Sequence, residues 1–103
     1  MYAFEQDVPI NAEVHARIMA QLGDAVPPGL IAHIATERPD GGLRYLDLWE
    51  SQADCDRFTE ERLHPVVGAA LASAGIRPAG EPPRTDVHVV DVWGAAFPRA
   101  SRV

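Results

Sequence analysis

Residues 29–51 read GLIAHIATERPDGGLRYLDLWES. Two apolar runs flank Pro39-Asp40-Gly41-Gly42, a strong turn signal, so the stretch predicts a β-hairpin. The first strand is expected over Leu30 to about Glu37, apolar on both faces except for His33. The second is expected over Leu43 to Glu50. In a strand successive side chains point to opposite faces. Tyr45, Asp47 and Trp49 therefore share one face, and Leu46 and Leu48 share the other. A carboxylate inside such an apolar strand is costly unless it is paired or hydrogen-bonded.

Outward from the hairpin the pattern is equally regular. Tyr2 to Val8 alternates as a strand and Pro9 ends it. Asn11 is a good N-cap, and Val14, Ile18 and Leu22 recur every fourth residue, which predicts a helix closed by Gly23. After the hairpin, Ser51 and Asp54 resemble a capping box opening a second helix. Cys55, Phe58 and Leu63 lie on one side of it. Pro65 is expected to break or restart this helix, which continues through Leu71 to about Ala74 and stops at Gly75. Pro78 to Arg84 reads as a loop, and Val87 to Trp93 as a fourth strand.

The order is β-α-β-β-α-β. It predicts an α+β, ferredoxin-like fold: a four-stranded antiparallel sheet with both helices on one face. Residues 1–94 form the single domain, and residues 95–103 a C-terminal tail expected to dock on a partner subunit. Both sheet faces carry large apolar residues, and a sheet open on an apolar face usually buries it against something. The expected partner is a second copy, giving a dimeric α+β barrel with an internal cavity. On this reading the aliphatic face, with Leu46 and Leu48, lies under the helices, and the mixed face, with Tyr45, Asp47, Trp49 and His33, looks into the space between the two sheets. An odd-length hairpin loop brings His33 and Asp47 together across the strands, and a two-residue loop separates them. Gln6 joins them if Phe4 and Gln6 face the same way.

The chain has 103 residues, nine basic against fifteen acidic, and a net charge of -6. That balance argues against nucleic acid as partner, because phosphate binding needs a basic patch. One cysteine, Cys55, permits no intrachain disulfide and fits a reducing compartment. No apolar run approaches the roughly 20 residues of a membrane span, and the N-terminus has no signal-peptide pattern. A cytoplasmic protein is expected. The four histidines have no metal-site spacing, no glycine-rich phosphate loop is present, and no metal or cofactor is expected.

Asp47-Leu48-Trp49-Glu50-Ser51 through Phe58, preceded by the hairpin, resembles the antibiotic biosynthesis monooxygenase-type family of dimeric α+β barrels. Gly29 to His33 (GLIAH) and Glu61 to Val67 (ERLHPVV) are similar to actinobacterial members. The resemblance implies a homodimer. It also implies one of several activities. Some members are cofactor-independent monooxygenases of polyketide-like aromatic phenols, others degrade haem, and structural relatives cyclise polyketides or bind small ligands. Oxygenating members carry an Asn on the first strand, a Trp at the position of Trp49, and a polar helper. Here Gln6 stands near the Asn position. His64 loosely matches the helix histidine of haem-degrading members.

The leading expectation is a homodimer whose pocket binds a small aromatic molecule, with cofactor-independent oxygenation or a related proton transfer as its chemistry. His33 is the candidate base and Asp47 its orienter. Trp49 and Tyr45 are wall and hydrogen-bond donor, and Gln6, Phe4 and Ile31 complete the substrate-binding set. The alternatives are a non-catalytic ligand-binding or accessory protein, and a haem-binding member. Neither nucleic acid nor membrane is an expected partner.

Overall fold

A computed structural model describes residues 1–77 and 80–94. The elements are β1 (Tyr2–Val8), α1 (Ala12–Leu22), β2 (Leu30–Glu37), β3 (Leu43–Trp49), α2 (Gln52–Phe58), a π-helical turn (Thr59–Leu63), α3 (His64–Ser73) and β4 (Thr85–Asp86). The strands form one antiparallel sheet in the order β2-β3-β1-β4, the ferredoxin-like arrangement. The tail over residues 95–103 lies outside the described residues.

The caps act as the sequence predicts. Asn11 Oδ1 accepts from Val14 N at 2.9 Å, and Ser51 Oγ accepts from Asp54 N at 3.1 Å. Each satisfies an N–H that the first helical turn leaves without an intrahelical partner. Gly23 closes α1 at φ 81°, its N–H returning to Met19 O. In the hairpin, Asp40 Oδ1 accepts from Gly42 N at 2.9 Å, and Glu37 faces Leu43. Five residues thus separate the strands, an odd number, and the register sets His33 directly opposite Asp47.

Two expectations need correction, and a third is met in one of its two forms. First, the sheet faces are the reverse of the sequence reading. Phe4, Gln6, Val8, Leu43, Asp47 and Trp49 are buried on the face that meets the helices; Trp49 packs on Phe58 of α2 with ring centroids 5.6 Å apart. The opposite face is the aliphatic one, with Ile34 47% exposed. Aromatic rings bury the most apolar area per residue, so the helix layer takes them and the small aliphatic residues are left on the open side.

Second, Val87–Trp93 is not a strand. Phe4 faces Asp86 and Glu5 faces Thr85, and one further bond joins Val87 N to Ala3 O. In that antiparallel register the chain runs past the start of β1 within a few residues, so Val90 and its neighbours have no β1 backbone left to pair with. Val90 is 93% exposed.

Of the two outcomes expected at Pro65, a break or a restart, the structure shows the restart. Pro65 occupies the first turn of α3, as expected, and the π-helical turn before it links α2 to α3 without a gap. A proline lacks an N–H and crowds the carbonyl four residues back; the wider turn, closed by His64 N–H to Thr59 O, accommodates it.

The core has two parts. Val8, Ile10, Val14, Ile18, Leu43 and Leu71 join β1 and β3 to α1 and α3. Phe4, Trp49 and Cys55 join the sheet to α2. Between them lies a cavity.

Candidate functional site

The cavity holds about 770 Å³ and runs between the sheet and the helices of one chain. That is the size of a small-molecule site. It is not the space between two sheets that the sequence reading expected. The sheet contributes Phe4, Gln6, His33, Tyr45, Asp47 and Trp49; the helices contribute His15, Phe58, Thr59, Arg62 and His64 among others. Ile31, expected in the lining, is absent from it. The register shift between Leu30 and Ala32 makes Ile31 the extra residue of a β-bulge, so Leu30 takes the inward position beside Trp49.

Asp47 organises the polar end. Its Oδ1 lies 2.5 Å from His33 Nδ1, and its Oδ2 accepts from Trp49 Nε1 at 3.1 Å. A carboxylate only accepts, so His33 carries a proton on Nδ1, and the neutral ring presents a lone pair on Nε2. The pair is shielded: the side chains are 23% and 13% exposed. Trp49 N–H holds the second oxygen and keeps the carboxylate from rotating. Among the described residues no buried side-chain nitrogen or oxygen lacks a partner.

His15 is one of the four histidines in which the sequence shows no metal-site spacing. The structure places it on α1 with Nδ1 2.7 Å from Tyr45 Oη. Its ring stacks on His33 at 5.9 Å between centroids and 17° between planes, and Tyr45 meets His33 edge-on at 4.6 Å. Burial, then the nearby Asp47 charge, pushes the Tyr45 phenol up to about 12. The phenol therefore keeps its proton and donates it to His15 Nδ1. Burial, and secondarily His33, lowers the His15 imidazole below its ordinary value and favours the neutral ring. The one available sequence signal was position: His15 follows Val14, so it borders the apolar stripe of α1.

Gln6 lies in the lining but points its amide elsewhere. Nε2 donates to Pro82 O at 2.7 Å and reaches Glu81 Oε1 at 3.4 Å, fastening the 81–82 segment over the sheet. His64 lines the cavity with Nε2 3.9 Å from Glu81 Oε2. Arg84 backs this region, donating to Tyr2 Oη, Asp56 and Glu81, with its guanidinium 4.7 Å from the Phe4 ring centre. Cys55 is 1% exposed, and burial raises its thiol above the ordinary value, which disfavours the reactive thiolate. Among the described residues no cluster of His, Cys, Asp and Glu has the form of a metal site, and no helix is long and apolar enough to cross a membrane.

A solved structure from Chloroflexus aurantiacus J-10-fl, named "putative Antibiotic biosynthesis monooxygenase", aligns over 90% of this chain and 96% of its own, with TM-score 0.58 and 16% identity. The two proteins share a fold. At that identity the likeness speaks for architecture alone, and function has to be argued from the site. No family model matches the chain, and no curated protein matches it in sequence.

Proposed function

We propose that the chain acts as a homodimer whose cavity binds a small aromatic, polyketide-like molecule and oxidises it with dioxygen, without a cofactor. The observation that carries this reading is the His33–Asp47–Trp49 array opening onto an apolar cavity of about 770 Å³. Trp49, Phe4 and Phe58 offer flat apolar walls for a ring. His33 Nε2 is the acceptor for the proton of a bound phenol, and Asp47 stabilises the imidazolium that results. The phenolate is then electron-rich enough to reduce dioxygen. One phenol and one O₂ give a quinone and one water, so atoms and electrons balance with no external reductant. The proton on His33 returns to the ring-bound peroxide, and as the O–O bond breaks the oxidised ring carbon gives up its C–H proton, so the outer oxygen leaves as water with both protons. Tyr45, still protonated, serves as hydrogen-bond donor to substrate oxygen by turning its hydroxyl away from His15.

The dimer rests on the open sheet face. Ile34 stands 47% exposed there beside Ala32 and Leu46, an apolar surface suited to a second copy. Light scattering on the purified chain reads the mass directly, and a monomer at micromolar concentration removes the dimer from the account.

Turnover of naphthols and related phenols, followed by oxygen uptake, tests the chemistry. His33→Ala and Asp47→Asn abolish uptake while the fold and oligomer persist. If both variants oxidise phenols at the wild-type rate, the assignment fails. A second reading has one observation in its favour: both Asp47 oxygens, His33 Nδ1 and Trp49 Nε1 are already satisfied within the protein. A ligand-binding protein without turnover needs nothing more. It predicts phenol binding with no oxygen uptake by the wild type.

A further inference from the structure

The distribution of ion pairs singles out the cavity. Arg17 pairs with Glu13, Arg38 with Asp40, Arg44 with Asp7, Arg57 with Asp54, and Arg84 with Asp56 and Glu81. Two other arginines of the described residues, Arg62 and Arg77, have no acidic partner there, and both line the cavity. In a chain of net charge -6 an unpaired guanidinium is unexpected, because acidic neighbours outnumber basic ones. Asp24 also reaches the rim, yet it makes no ion pair with Arg62.

Arg62 has the better-defined geometry of the two. It comes from the π-helical turn, the wider turn of the long helical run. One N–H donates to Leu22 O at 2.7 Å, at the end of α1, which fixes the plane of the group. The guanidinium carbon lies 5.7 Å from the Phe58 ring centre, and Phe58 in turn lies 5.6 Å from Trp49. Trp49, Phe58 and Arg62 thus form a row from the cavity wall to a cation. Four of the five guanidinium N–H groups remain for a ligand, in the fork that matches a carboxylate.

We infer that the molecule bound in this cavity is an aromatic acid, its ring against Trp49 and Phe58 and its carboxylate on Arg62. The inference rests on the reading of the cavity as an aromatic site. It narrows the substrate class to ring systems that carry an acidic substituent away from the oxidised phenol. The overall negative charge of the chain repels free anions, so the guanidinium supplies both the local attraction and the orientation.

Binding is measured by calorimetry with three probes on one ring: 1-naphthoic acid, 1-naphthamide and 1-naphthylmethylamine. Wild-type protein is expected to bind the acid about tenfold more tightly than the amide. Arg62→Gln removes that preference. Arg77→Gln retains it. Equal binding of acid and amide by the wild type overturns the inference. So does a preference that survives Arg62→Gln or disappears in Arg77→Gln, and so does tighter binding of the amine, which would assign the rim to Asp24. If none of the three binds, the aromatic reading of the cavity falls, and this inference falls with it. If the amide binds and the acid gains nothing, only the inference falls.

Discussion

Replacing Asp47 by Asn changes one oxygen to an amide nitrogen and removes a charge, with almost no change in volume. In the native site both carboxylate oxygens accept, one from His33 Nδ1 and one from Trp49 Nε1. An amide has only one acceptor oxygen. If that oxygen stays with Trp49, the NH₂ faces His33 Nδ1, and the imidazole must move its proton to Nε2. The base becomes a donor. If the oxygen stays with His33 instead, two N–H groups meet at Trp49, whose side chain is only 2% exposed. A buried N–H left unpaired costs about 1–3 kcal/mol, and a charge-assisted hydrogen bond contributes about as much. The first arrangement is therefore favoured. It loses the charge-assisted bond but orphans no donor, for a net cost of about 1–3 kcal/mol. In a domain of this length that lowers Tm by roughly 5–15 °C. Loss of the general base lowers turnover by a further hundredfold or more. Long-range ¹⁵N–¹H correlation spectra of the His33 ring read the tautomer without any substrate. The wild type shows the Nδ1–H form and Asp47→Asn the Nε2–H form. An unchanged His33 tautomer in the variant, with Tm unmoved, refutes the role assigned to Asp47.

The Tyr45 phenol titrates at about 12 in the fold, against 10.0 for the unperturbed group. Its folded value is raised, so its contribution to stability is fully present below pH 10 and is lost as pH rises through 12. The loss amounts to about 2–3 kcal/mol, and Tyr45→Phe flattens this alkaline decline in urea titrations. His15 behaves in the opposite sense. Its folded imidazole is lowered, the unfolded chain binds the proton first, and stability falls as pH drops below the ordinary histidine range. His15→Gln removes that acid slope, measured the same way. Gly29 has φ +87°, and an added Cβ would meet Asp54 Oδ2 at 2.4 Å, while the same Cβ at Gly23 meets nothing within 4 Å. Gly29→Ala is expected to cost more stability than Gly23→Ala, the former by about 1–3 kcal/mol, in parallel thermal melts.

The elements that declare themselves locally were legible. Caps at Asn11 and Ser51, the stop at Gly23 and the Asp-Gly-Gly turn depend on a few adjacent residues, and each stands where the sequence puts it. The His33–Asp47 pairing was legible only as a condition: it needed an odd hairpin loop, which the sequence left open and the five-residue loop supplies. What failed were features set by distant parts of the chain. Which face of the sheet the helices cover depends on total area buried by Phe4, Trp49 and Phe58 together, and no single strand reveals it. The bulge that turns Ile31 out of the lining is invisible in an apolar run whose neighbours Leu30 and Ala32 are apolar as well. The length of β4 depends on where β1 begins, eighty residues earlier. His15 looked isolated because its partner, Tyr45, lies thirty residues away on another element.

The most direct test of the central claim is an NMR titration of the protein with 1-naphthol, following the Trp49 indole N–H and the His33 ring together. The account predicts that both move along one saturating curve, with the His33 Nε2 resonance shifted by its new proton donor. Shifts confined to the open sheet face, with Trp49 and His33 unmoved at saturation, would contradict it.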